Sequence, residues 1–239
     1  MQHRVTAGFA AAFLICLIPV AALALEPYNQ NFEWLNQTNP SALASDGWLV
    51  FGNVSTSGGT YLYGYGPFAA PNGTSAFCDI ASGEGGPEQG YQQLVVYSDY
   101  QSSEHSAGNI IESNVFQEKM IGPGDVGNTW IFSFHAKLGN IEGNSTAAAF
   151  IKTLDPGAGY ALTNFITEDM TSIPITWSYY SLSITIDPSL DGQLLQIGFL
   201  NKATYYEGSG IFYDNVDFSI GVPVPVETKT WGGVKALYQ

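Results

Sequence analysis

Apolar residues recur along nearly all of this chain with a period of two, or in short runs closed by Gly, Pro, Asn, Asp or Ser. Alternation of that kind puts successive side chains on opposite faces of an extended strand, one face toward a core and one toward water. It predicts strands near 31–35, 48–52, 60–65, 75–81, 91–98, 110–117, 129–138, 146–154, 161–167, 177–186, 194–201 and 210–219. Turn chemistry separates them: Pro71-Asn72-Gly73, Gly122-Pro123-Gly124-Asp125, Asn140-Ile141-Glu142-Gly143, Asp155-Pro156-Gly157 and Asp187-Pro188. No amphipathic helix of useful length appears before the C-terminal tail, and no solenoid or propeller period is visible. Many short strands with such punctuation predict an all-β fold, a two-sheet antiparallel β-sandwich of jelly-roll type.

The last strand carries an anomaly. On a regular strand Phe212, Asp214, Val216 and Phe218 share one face, and three of the four are apolar. Asp214 is then a carboxylate in a row of core residues, where an unpaired charge is costly. After residue 24 the chain has no Arg. A bound metal or a cage of backbone N–H groups remains as its partner.

The two ends change the picture of where the protein works. His3 and Arg4, an apolar run over Val5–Val20 broken by Pro19, and Ala22-Leu23-Ala24 read as an export signal cut after Ala24. A retained anchor is the competing reading, but the apolar run is short for a membrane span. Residues 25–221 then form one β domain, and 222–239 a Pro-rich linker, Val222-Pro-Val-Pro-Val226, with a short tail. The protein is accordingly expected to be secreted, periplasmic or at the cell surface. Beyond the signal the only cysteine is Cys78, so no intramolecular disulfide is possible, and a packed strand position is the simplest role for it.

The formal charge is −14. Such an acidic chain repels phosphate backbones, which argues against nucleic acid as a partner and suits cations and neutral polymers. Its many aromatics separate it from disordered acidic proteins.

Aromatic and polar residues supply the candidate binding chemistry. Tyr61, Tyr63 and Tyr65 alternate in Thr60-Tyr-Leu-Tyr-Gly-Tyr65 and would line one strand face as a stacking platform, or pack as a row beneath a neighbouring loop. Tyr205 and Tyr206 fall in a turn between strong strands, where exposed rings favour binding. Trp34, Trp48 and Trp130 are assigned to the core, and Trp177 to a strand start. The loop Gly83–Gly90 is too rich in glycine to stay rigid without outside contacts. Its Glu84 and Glu88 are the only close carboxylate pair in a flexible loop, and solvated charges are the simpler reading. His105 and His135 are not at metal-ligand spacing, and His135 lies opposite Phe132 and Phe134. No nucleophile, zinc or phosphate-loop motif is present. No catalytic residues are assigned.

Asn31-Phe32-Glu33, Asp46-Gly47-Trp48 and Phe212-Tyr-Asp-Asn-Val-Asp-Phe218 resemble the two ends of the galactose-binding-like jelly roll, the fold of many bacterial carbohydrate-binding modules of the cellulose- and xylan-binding type. The resemblance implies first and last strands side by side, polysaccharide or glycan as partner, and a structural calcium near the junction. Carried over by position, Glu33 and Asp214 are its candidate ligands. The linker at 222–226 also resembles the start of a PEP-CTERM sorting tail, but no spanning run and no terminal Arg cluster follow. The function implied is an exported, non-catalytic, calcium-stabilised glycan-binding module. A structural or adhesive surface protein with a docking tail, and a glycoside hydrolase on the same fold, are the alternatives.

Overall fold

The computed structural model describes residues 24–221. Almost all of the predicted export signal and the whole of the linker and tail lie outside them. Twelve strands and one four-residue helix, α1 (Ala42–Ser45), are formed. The strands are β1 (Tyr28–Gln30), β2 (Leu49–Ser55), β3 (Tyr61–Ala69), β4 (Cys78–Ser82), β5 (Gln92–Val96), β6 (Ile110–Met120), β7 (Thr129–Leu138), β8 (Thr146–Asp155), β9 (Ala161–Asp169), β10 (Ser178–Thr185), β11 (Leu194–Ala203) and β12 (Ile211–Ile220). They pair antiparallel in two sheets of the β-sandwich jelly roll. One runs β10-β7-β12-β5-β4, with β1 added beside β12, and the other runs β3-β2-β6-β11-β8-β9. First and last strands are neighbours, Tyr28 opposite Phe218 and Gln30 opposite Val216.

Alternation decides what faces inward. On β7 Trp130, Phe132, Phe134 and Ala136 are buried between the sheets, while His135 and Lys137 point outward. On β11 Leu195, Ile197 and Phe199 meet them from the other side. Trp48 and Trp130 lie in this core as expected. Cys78 is fully buried, and burial pushes its thiol well above the usual range.

Three expectations about the strands need correction. Residues 31–35 are not a strand; pairing stops at Gln30, and Asn31 and Asn36 turn the chain by accepting the N–H groups of Glu33 and Thr38. With the alternation gone, Phe32 enters the core at φ 60° and Trp34 is 92% exposed rather than buried.

Asp214 is likewise not in the core row. The β12–β7 register slips between Asp214 and Asp217, and Asn215 adopts φ 48°. A bulge of this kind adds one residue and reverses which positions face inward. Ile211 and Tyr213 are therefore inward before it, Val216 and Phe218 after it. Phe212 lies outside with the Lys137 ammonium 5.3 Å from its ring centre. Asp214 is buried all the same, because the Gly83–Gly90 segment packs near Asn215 on that side.

The third correction concerns the tyrosine row. The β2–β3 register shifts between Val54, which pairs with Tyr63, and Ser55, which pairs with Tyr61. Paired residues share a face, so Tyr63 and Tyr65 are on the side of Val54 and Tyr61 is on the opposite side. The three rings do not form one platform.

Candidate functional site

The outer face of the second sheet is not a plain solvated surface. Cross-strand rows cover it: Phe51 opposite Asn114 and then Leu200 on β2, β6 and β11, and Glu118 opposite Gln196, Lys152 and Phe165 from β6 to β9. Phe116, Phe150 and Leu200 are buried there as a second, smaller apolar cluster. Above it lies a cleft of about 750 Å³, crossing the strands from Pro67 on one edge strand to Leu162 and Phe165 on the other. Tyr160, in the turn before β9, stands on its rim with 62% of its surface free, and Phe165 has 47% free.

Polar groups converge on the same cleft. The Glu112 carboxylate accepts from the amides of Asn53 (3.0 Å) and Asn114 (3.1 Å) and pairs with Lys202 at 3.0 Å. Burial opposes its charge, but Lys202, Asn114 and Lys152 outweigh burial and hold it below the ordinary carboxylate range. Gln196 donates to Glu118 at 2.7 Å. Lys152 donates to the Asn114 carbonyl oxygen at 2.5 Å and lies 4.1 Å from the centre of the Phe150 ring and 5.0 Å from that of Phe165. Burial lowers its ammonium to about 8; Glu112 opposes that shift and Lys202 adds to it. Apolar rings beside fixed amides and carboxylates suit a ligand with apolar faces and hydroxyl edges.

Four of the tyrosines expected to bind, Tyr63, Tyr65, Tyr205 and Tyr206, contact the 99–108 loop, whereas Tyr61 is exposed on the other face of β3. Tyr65 donates to Asp99 at 2.8 Å, its ring covering Gly52, where any Cβ would collide with it at 2.1 Å. Tyr63 donates to Glu104 at 3.0 Å and lies 6.2 Å from Tyr65, tilted by 47°. Tyr206 packs 4.8 Å from the buried His105 ring and reaches Ser106, while Tyr205 covers Gly108 and is 65% exposed. Burial keeps His105 below the usual imidazole range.

The structure does bring Glu33 and Asp214 together, beneath the glycine-rich segment on the outside of the first sheet. Glu33 Oε1 accepts the N–H groups of Tyr91 and Gln92, each at 2.6 Å. Asp214 Oδ1 accepts from its neighbour Asn215, but the buried Oδ2 has no partner, nor has the buried Gln89 Oε1. Burial, with Glu33's charge adding to it and the Asn215 N–H opposing it, pushes Asp214 up to about 8. Among the described residues no three His, Cys, Asp or Glu side chains group to hold a metal. Two carboxylates and an amide oxygen are all-oxygen donors, which fits calcium rather than zinc, with backbone carbonyls needed to complete a shell. The segment is fixed by contacts: Lys137 pairs with Glu84 at 2.6 Å, Trp177 donates to the Glu84 carbonyl, and Asn215 donates to the Glu88 carbonyl. Gly90 has φ 59°, and a Cβ there would sit 2.5 Å from Glu33 Oε1. Gly90→Ala is therefore expected to lower the melting temperature by several degrees, through left-handed strain and displacement of Glu33. A melting curve unchanged within a degree would contradict that placement.

Sequence reasoning proposed Glu33 and Asp214 as a pair and missed the cleft. Its residues come from six strands, four of them from β6 and one or two from each of the others, with Tyr160 added from a turn. The one available signal was apolar residues at adjacent positions, Val115-Phe116, Phe150-Ile151 and Leu194-Leu195, which make a strand apolar on both faces.

No family model matches the chain, and no curated protein matches it. Among solved structures it is similar to the enzymatically active domain of bacteriophage CBA120 tailspike protein 4, with TM-score 0.44 and 14% identity over 78% of this chain and 22% of that one. It is similar to the CBM22-1–GH10 modules of Clostridium thermocellum endo-1,4-β-D-xylanase 10B, crystallised with xylohexaose, with TM-score 0.43 and 13% identity over 84% and 29%. It is also similar to the CBM22-1 xylan-binding domain of Paenibacillus barcinonensis Xyn10C, with TM-score 0.41 and 10% identity over 84% and 97%. The chain thus spans under a third of the first two proteins and nearly all of the third.

Proposed function

We propose that the protein is an exported, non-catalytic module that binds a polysaccharide in the cleft of the second sheet. The observation that carries this is the cleft itself, with Phe51, Tyr160 and Phe165 beside the fixed polar groups of Asn53, Glu118 and Gln196. Sugar rings present apolar C–H faces to aromatics and hydroxyls to amides and carboxylates, and the cleft holds both. The carboxylates Glu112 and Glu118 argue for binding over hydrolysis. They lie six residues apart on one strand face, about 20 Å at ~3.3 Å per residue, whereas a glycosidase pair needs roughly 5–9.5 Å. Export rests on residues 1–24 and places the protein in the periplasm, at the cell surface or outside the cell.

Calcium at Glu33 and Asp214 belongs to the same proposal. A cation at the junction of β12 with the glycine-rich segment would let Asp214 give up its proton and would offset the negative charge of both side chains. Asp214 Oδ2 and Glu33 would hold it.

Affinity electrophoresis of the exported chain in gels containing soluble polysaccharides tests the binding. Retardation by at least one polysaccharide is expected, and Phe165→Ala or Tyr160→Ala should weaken it about tenfold or more, as for a central aromatic contact. A second reading puts the glycan on Tyr205 and Tyr206, favoured by their exposure in a loop. Loss of retardation on Tyr205→Ala and Tyr206→Ala, with none on Phe165→Ala, would move the site there. No retardation across neutral and acidic polysaccharides would reject the proposal.

A further inference from the structure

A cation half-buried among apolar groups needs a counter-charge, and the fold supplies one to each of two other lysines. Lys137 pairs with Glu84 and Lys202 with Glu112. Among the described residues Lys152 has no carboxylate within ion-pair distance. Its partners are a neutral amide oxygen of Asn114 and the faces of Phe150 and Phe165. Glu112 is close enough to favour the Lys152 charge, but Lys202 lies nearby and offsets it. Around Lys152 two ammonium groups face one carboxylate, Glu112, while the cleft's other carboxylate, Glu118, is held by the Gln196 amide two strands away, in a chain of net charge −14. The place of Lys152 is the cleft, where a bound chain would lie against it.

Resting on the binding proposed above, we propose that the cleft selects acidic glycans, with the Lys152 ammonium pairing a carboxylate or sulfate ester on the sugar. The surrounding negative charge disfavours densely charged polyanions. The fitting ligand is a mostly neutral polysaccharide with scattered anionic substituents, one per binding footprint. An ion pair formed in an apolar site, on a donor already held in position, is worth about tenfold or more in affinity.

Matched polysaccharide pairs test this with the full exported chain. Glucuronoxylan is compared with the same polymer after reduction of its carboxyl groups, and a lightly sulfated galactan with its desulfated form. At least one anionic form is expected to retard the protein about tenfold more strongly than its neutral twin. The preference should vanish in Lys152→Gln and persist in Lys152→Arg, with melting curves confirming that both variants fold. The pair that shows the preference identifies the anion as a uronic carboxylate or a sulfate ester. Equal retardation by both members of each pair would overturn the selectivity while leaving glycan binding intact, as would a preference that survives Lys152→Gln. Absence of binding to any polysaccharide, neutral or acidic, would remove both this inference and the function it rests on.

Discussion

Replacing Phe199 by alanine is expected to destabilise the fold by about 3–5 kcal/mol, the range for deleting a buried aromatic ring. Phe199 projects from β11 in the second sheet and meets side chains of the first. Its ring stacks on Tyr213 with centroids 3.6 Å apart, meets Phe134 edge-on at 5.1 Å and Phe132 at 5.6 Å. Within its own sheet's side of the core it lies 6.3 Å from Trp48. All of these rings are buried, so the space left by alanine is walled by large, interlocked groups that cannot collapse into it. For a domain of this size each kcal/mol moves the melting temperature by about 2–4 °C, giving a fall of ~6–20 °C. Phe199→Leu, which keeps most of the volume, should cost much less. Thermal and urea unfolding of the two variants check this. A fall below about 3 °C for alanine would mean that Phe199 does not couple the sheets.

That prediction rests on a part of the fold that the sequence carried openly. Leu195, Ile197 and Phe199 alternate, as do Trp130, Phe132 and Phe134, and both sets enter the core as period two requires. Alternation fails where one residue is added. Asn215 and the shifted pairing at Tyr61 each reverse the faces downstream, and hydrophobic pattern alone gives no warning of a single inserted residue. Asn215 offered a weak sign, since Asn tolerates the left-handed conformation better than most side chains. The cleft was less legible still. Glu112, Lys152 and Phe165 become neighbours only because β6, β11, β8 and β9 pair in that order, a property of the sheet and not of any one segment. The Glu33–Asp214 pair was proposed for a different reason. It joins the chain's two ends, and the motifs there resemble a known fold closely enough to carry the positions over.

Chelated at neutral pH, the protein is expected to lose stability as pH rises, opposite to the usual behaviour of a carboxylate-rich protein. Asp214 is pushed up to about 8 in the fold, first by burial and then by Glu33, against an ordinary value of 3.8. Between those values the folded state holds a proton that the unfolded chain has released. Stability is therefore greatest below the unfolded value and is lost as pH climbs through the folded one, at up to about 1.4 kcal/mol per pH unit. His105, lowered from 6.5 by burial, acts in the opposite direction below 6.5. Lys152, lowered to about 8, adds stability above 8. The Asp214 effect thus stands most clearly between pH 6.5 and 8, and melting curves in EDTA across that window should fall with pH. Asp214→Asn should flatten them. Calcium, if the proposed site holds it, would keep the carboxylate ionised, so at pH 8 it should remove the slope and raise stability by about 2.7 kcal/mol at a hundredfold excess over its dissociation constant. If calcium changes nothing while the EDTA slope persists, Asp214 is a protonated acid in a dry site and the metal proposal fails. If the slope is absent with and without calcium, the Asp214 carboxyl is not the strained group that its unpaired oxygen indicates.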